Sequence, residues 1–344
     1  MKNRKIWVDY AKALGITLVV IGHVNRGLMN ARIDTNTHIS KMIDNYIYSF
    51  HMPLFFFLAA LFFSKSFERS GPSSFVANKA KVLLYPYIIW SLLQGGIEVL
   101  LSHYTNTKTD ISDVINLFQP RAQFWFLYAL FMVFMVSLLL RSISNNKRVD
   151  LFILLLSLCL YLVKNNLTNN YHLNYVTNNL FFFYLGIVAV DYRENISKIK
   201  INFVVAFTSL LAFLALCYYF HNINHINLER DVLASLILAL AGIFTCISIS
   251  LSLSEILESK TLLLIGELSM PIYLLHIIAG SGTRVMLTKL TSLTNYHIHL
   301  LLGLLAGIVI PIIIYKISKK YHFMFLFEFP SFYKDIPISK TQKY

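Results

Sequence analysis

Long apolar runs, broken by charged or Asn-rich stretches, set the pattern of this chain. Runs such as 124–140 and 298–314 approach the roughly 20 residues that a helix needs to cross a bilayer. Read run by run, the pattern predicts ten spans: 7–25, 45–63, 82–101, 124–140, 151–163, 177–190, 201–220, 232–253, 262–280 and 298–317, the fifth and sixth being short. Asp9 and Lys12 interrupt the first run and no small-residue cleavage site follows in 27–32, so that run is expected to stay as a helix. The predicted fold is all-α, a polytopic membrane bundle of about ten transmembrane helices over residues 1–320. A basic, aromatic tail at 321–344, carrying Phe323, Phe325, Phe327 and Phe329, is expected to lie along the inner surface.

Composition agrees with this pattern. Only 14% of the 344 residues are charged and 56% are hydrophobic, whereas about a quarter of a soluble domain is charged, so a soluble globule is excluded. The net charge of +13 is explained by how Lys and Arg are distributed about the spans: twenty lie on the side of the N-terminus, counting Lys316 at the end of the last span, and nine on the other, with Lys12 inside the first span. That bias places both termini in the cytoplasm and makes a nucleic-acid partner unnecessary. Cys159, Cys217 and Cys246 all lie inside apolar runs, which gives no disulfide framework and no metal-ligand cluster. Expected cofactors therefore include no metal.

An ionisable side chain at mid-bilayer costs about 2.5–3.5 kcal/mol on insertion scales, which makes each one a functional candidate. Asp9, Lys12 and His23 share the first helix. At 100° per residue His23 lies about 20° around from Lys12 and about 40° from Asp9, so the three share a face that must line the bundle interior or a water-filled cavity. Asp9 and Lys12 can also be read as a pair snorkelling at the cytoplasmic end. His23 lies towards the other end, and neutral imidazole is the common general base. His51 and His276 fall at about the same depth, so three histidines are expected to meet near the outer leaflet. Lys79 and Lys81, at the cytoplasmic start of the third span, can meet an anionic ligand or serve as ordinary anchors. Trp125 and Tyr128 flank the outer start of the fourth span, where an aromatic belt accounts for them equally well. Pro271 is expected to kink the ninth span, leaving Glu267 unplaced.

The stretch WVDYAKALGITLVVIGHV at 7–24 resembles the start of the acyltransferase 3 family of integral membrane acyltransferases, and is most similar to its fucose 4-O-acetylase-like branch. Lys12, ten intervening residues and His23 match the family's basic residue and histidine. Further likenesses follow in order at 49–63, 75–87, 124–131, 181–186 and 269–277. Two departures stand out. Ala59 and Ala60 occupy the place of the family's Ser-Gly, and Lys79 and Lys81 replace an arginine-rich cluster, a point charge lacking the arginine fork.

The resemblance implies transfer of an acyl group, usually acetyl, from cytoplasmic acyl-coenzyme A to a hydroxyl of a surface glycan or lipid-linked sugar precursor. The enzyme would be a multi-pass protein of the bacterial inner membrane, with polysaccharide-assembly proteins and membrane lipid as its partners. Lys12, Lys79 and Lys81 would receive the nucleotide phosphates, His23 would act as general base or be acylated itself, and Asp9 would hold Lys12. His51, Trp125, Tyr128 and His276 would orient the acceptor. The rival reading is a transporter or flippase for a glycan or glycolipid, since many transporters bury ionisable residues among ten or more helices.

Overall fold

A computed structural model describes residues 6–33, 37–102, 109–144, 146–167, 170–192, 201–291 and 293–330. The end of the basic tail, 331–344, and the cations Lys2, Arg4, Lys5, Lys108, Arg193, Lys198 and Lys200 lie outside these residues.

The chain starts with α1 (Ile6–Asn30), followed by α2 (Thr37–Tyr48), α3 (His51–Ala60) and α4 (Phe63–Ser70), which together make the second span. Next come α5 (Pro72–Lys79), a π-helical turn at Ala80–Leu84 and α6 (Tyr85–Leu100), then the short α7 (Ile111–Ile115). α8 (Trp125–Ile143), α9 (Lys147–Leu162), α10 (Lys164–Leu167), α11 (Tyr171–Thr177) and α12 (Leu180–Tyr192) form the middle of the chain. It ends with α13 (Phe203–Cys217), α14 (Val232–Ile256), α15 (Lys260–Glu267), α16 (Ser269–Thr291) and α17 (Tyr296–Lys320). The described residues contain no strand, and nine of their helices are long and apolar enough to cross a membrane. The predicted span 151–163 folds as α9, 16 residues or about 24 Å, shorter than a hydrocarbon core of about 30 Å.

Proline marks three of the breaks, because it lacks an N–H and its ring clashes with the carbonyl four residues earlier, although α17 runs on through Pro311. Pro53 counts back to Ser49, at the gap between α2 and α3. Pro271 counts back to Glu267, and α15 gives way to α16 at Leu268. Pro86 counts back to Val82, inside the π-helical turn. The third span begins ten residues before its predicted start because Ser73, Ser74 and Asn78 lower the hydropathy of an amphipathic α5 that buries only Phe75.

α1 is the central post. It packs against α2, α3, α14, α15, α16 and α17, with Tyr10, Ala11, Ala13 and Val20 fully buried. The Tyr10 hydroxyl donates to the Leu257 carbonyl at 2.6 Å and accepts from the Ser259 amide at 2.7 Å, which ties the start of α1 to the loop entering α15. On α8 and α9, Arg141 and Asp150 form an ion pair with side chains 5% and 1% exposed. Both charges face protein and neutralise each other, as buried ions must.

The described part of the tail turns back onto the bundle. Tyr85 and Trp90 of α6 donate to the Phe325 and Leu326 carbonyls at 2.7 and 2.6 Å, and Phe327 is buried against Trp90 and Tyr315. Trp90→Phe keeps an aromatic ring, though a smaller one, and deletes one of these bonds, worth about 1 kcal/mol. Limited proteolysis of membranes should then cut at 321–330 faster than in the unaltered protein, with the rest of the chain equally resistant.

Candidate active site

Helical periodicity builds the site along α1. Lys12, Ile16, Val19 and His23 follow at intervals of four, three and four residues, within about 60° of arc. Lys12 Nζ lies 3.6 Å from Asp9 Oδ1 and 6.0 Å from the centre of the Phe62 ring. Asp9 is buried, whereas the Lys12 side chain keeps 34% of its surface exposed. Between Lys12 and His23, Ile16 and Val19 wall a cavity of about 90 Å³, closed by Met52 and Phe55 of α3, Phe126 of α8, and Met270 and Tyr273 of α16. The lining of this cavity is therefore mainly apolar.

At its other end the structure brings the predicted histidines together. The rings of His23 and His276 are 5.0 Å apart; Tyr48 stands edge-on to His23 at 6.1 Å and to His51 at 4.6 Å. His51 Nδ1 lies 2.8 Å from the Ile47 carbonyl, and His276 Nδ1 lies 2.7 and 3.1 Å from the carbonyls of Tyr273 and Ile272. A carbonyl only accepts, so Nδ1 carries the hydrogen in each ring and Nε2 keeps its lone pair. The Nε2 of fully buried His276 has no partner among the described residues. His23 is half-buried, and among the described residues neither of its ring nitrogens is hydrogen-bonded. The group thus offers an unengaged imidazole beside a second ring whose orientation the backbone fixes.

Trp125 and Tyr128 sit elsewhere. They occupy another face of α8, where Trp125 stacks on Tyr175 at 5.9 Å and Tyr128 meets Tyr87 and His172. On α8 it is Phe126 that reaches the cavity and contacts Tyr273. The two lysines also diverge. Lys79 lies over the Phe134 ring at 3.9 Å, on α8, whereas exposed Lys81 lies 5.3 Å from the Phe329 ring of the C-terminal segment. Two residues along a helix turn about 200°, so neighbours in sequence face opposite ways.

Three groups at the histidine end escaped the sequence reading. Arg26 pairs with Asp44 through two bonds of 2.6 and 3.0 Å, and its guanidinium carbon lies 3.2 Å from the centre of the Tyr48 ring. The Tyr273 hydroxyl donates to the Gln123 carbonyl and holds the start of α8 against α16. Each has a spacing signal: Arg26, Tyr48 and Tyr273 lie three residues from His23, His51 and His276. Among the described residues, no group of three His, Cys, Asp or Glu side chains is arranged to hold a metal ion.

Residues 5–316 match the family described as "Acyltransferase domain". Nodulation protein NolL of Mesorhizobium japonicum (strain LMG 29417 / CECT 9101 / MAFF 303099) is 30% identical over 157 residues, covering 44% of this chain and 39% of that protein. Nodulation protein NolL of Sinorhizobium fredii (strain NBRC 101917 / NGR234) is 27% identical over 143 residues, covering 41% and 38%. The match thus spans about two fifths of the length of either relative. No solved structure matches significantly.

Proposed function

This chain belongs to the acyltransferase 3 family, and on that premise we propose that it is a membrane O-acyltransferase moving an acetyl group from cytoplasmic acetyl-CoA to a sugar hydroxyl of a surface polysaccharide or its lipid-linked precursor. One observation carries the reading: on the face of α1 that holds both Lys12 and His23, the intervening Ile16 and Val19 wall an apolar cavity. Eleven residues at 1.5 Å is about 16 Å, a length that an extended pantetheine arm covers. Lys12, steadied by Asp9, receives phosphate at the cytoplasmic end together with Lys79. Lys81 serves from the opposite side of its helix. The thioester then lies beside His23 without the nucleotide crossing the bilayer.

In the chemical step the acceptor oxygen attacks the thioester carbonyl, its proton passes to a nitrogen of His23, and the carbon–sulfur bond breaks to release the thiolate. His276 and His51 orient the reacting hydroxyl or its proton. The same geometry serves a two-step route in which His23 is acylated first and then releases the group to the sugar.

The test is the mass of surface glycan from inner-membrane-competent bacterial cells with and without the protein. One added acetyl mass per repeat unit is the expected result. Unmodified glycan whose exported amount depends on the protein would replace acyl transfer with transport.

A further inference from the structure

Tyr48 faces more than the histidines. It also lines a second cavity, of about 160 Å³, whose walls come from the α2–α3 junction, the α9–α10 junction, the start of α12, and the loop and first turn of α14. The walls are tied by their own hydrogen bonds. Asn165 Nδ2 donates to the Glu229 and Arg230 carbonyls at 2.9 and 3.3 Å, Ser235 Oγ donates to the Leu228 carbonyl at 2.6 Å, and Asn179 Nδ2 donates to the Tyr175 carbonyl at 2.8 Å.

Three polar groups in the lining have room for a further partner. Asn178 Oδ1 is buried without a hydrogen-bond partner among the described residues, and the Tyr48 hydroxyl, also outside hydrogen-bond geometry, interacts with the neighbouring Arg26 guanidinium. A buried polar atom left unpaired is costly, and a polar ligand that bonds it recovers the cost. The third is the half-buried Lys164. Its ammonium lies 4.2 Å from the centre of the Tyr161 ring and has no carboxylate within ion-pair distance among the described residues. Burial pushes the Lys164 pKa down, partly offset by the exposed carboxylate of Glu229. No acidic side chain lines the cavity, and Lys164 is its one cation among the described residues.

We propose that this cavity binds an anionic sugar, with a carboxylate or phosphate on Lys164 and sugar hydroxyls on Asn178 Oδ1 and the Tyr48 hydroxyl. Resting on the acyl-transfer reading, the cavity is the acceptor subsite and makes acidic sugars the favoured acceptors. Its link to the chemistry is Tyr48, whose ring stands 6.1 Å from that of His23. The Tyr48 ring thus connects the wall of this cavity to the histidine group.

The test uses the full-length protein in lipid nanodiscs and measures binding of glucuronate, glucose 1-phosphate, glucose and inorganic phosphate. At least one anionic sugar should bind about tenfold or more tightly than glucose; Lys164→Met should remove that ratio and Lys164→Arg should retain it. Whichever anionic sugar binds better identifies the carboxylate or the phosphate as the recognised group. Equal binding of glucose, or a ratio unchanged by Lys164→Met, overturns the proposal. Inorganic phosphate binding as tightly as glucose 1-phosphate overturns its sugar component. Thiol release from acetyl-CoA, measured separately on the unaltered protein, tests the acyl-transfer reading. Its absence would overturn that reading and leave a Lys164-dependent anion site standing.

Discussion

Replacing His23 with alanine is expected to reduce acyl transfer to background while leaving the protein folded in the membrane. The imidazole is half-buried, unengaged by hydrogen bonds among the described residues, and on the face of α1 whose Ile16 and Val19 wall the apolar cavity. General acid–base help is worth about 10² to 10⁴ in rate, so the residual activity of the variant should lie at or below a hundredth of the original. The measurement is thiol release from acetyl-CoA by membranes containing equal amounts of protein, read alongside glycan mass. His276→Ala separates the roles. His276 is fully buried and directs its Nδ1–H at its own helix, so its loss should lower transfer less than that of His23 and should cost stability as well. A fully active His23→Ala variant would sink the assignment of the base, whatever happened to His276.

Much of this site can be read from the sequence because helical period and bilayer thickness are strict constraints. Lys12 and His23 lie at 100° steps on one apolar run, which leaves few places for their side chains; the cavity wall at Ile16 and Val19 follows the same arithmetic. The meeting of His23 with His276 followed from depth alone, each lying near the same end of its own span. What linear order hid was rotation and pairing across helices. Lys79 and Lys81 are neighbours in sequence and point to different partners. Arg141 counted only as an inner-side cation, yet the structure buries it in a pair with Asp150. Arg26 likewise counted only as an outer-side cation, although its packing on Tyr48 completes the histidine end. Tyr48 and Lys164 meet one cavity across more than a hundred residues of chain, and no periodicity reports such a meeting.

Gly266 supplies the other large expected effect. A β-carbon there would lie 2.0 Å from the Asp9 carbonyl oxygen and 2.7 Å from its carbon, both backbone atoms of the central helix. Side chains can turn away from such a contact, but backbone cannot, so Gly266→Ala must push α15 off α1. Overpacking of a single methyl costs typically about 1–3 kcal/mol, and a clash with helix backbone belongs at or above the top of that range. The displaced residue is also the one that holds Lys12, so the variant should lose thermal stability and thiol release together. Fluorescence-detected size-exclusion chromatography after heating measures the first, and the acetyl-CoA assay the second. Gly96 and Gly282 are the controls, since a β-carbon at either meets nothing within 4 Å. Both lie inside helices, α6 and α16, where alanine is favoured over glycine by about 1 kcal/mol, so Gly96→Ala and Gly282→Ala should be neutral or slightly stabilising. If Gly266→Ala matched these controls, the close approach of α15 to Asp9 would be wrong, and the support it gives to Lys12 would go with it.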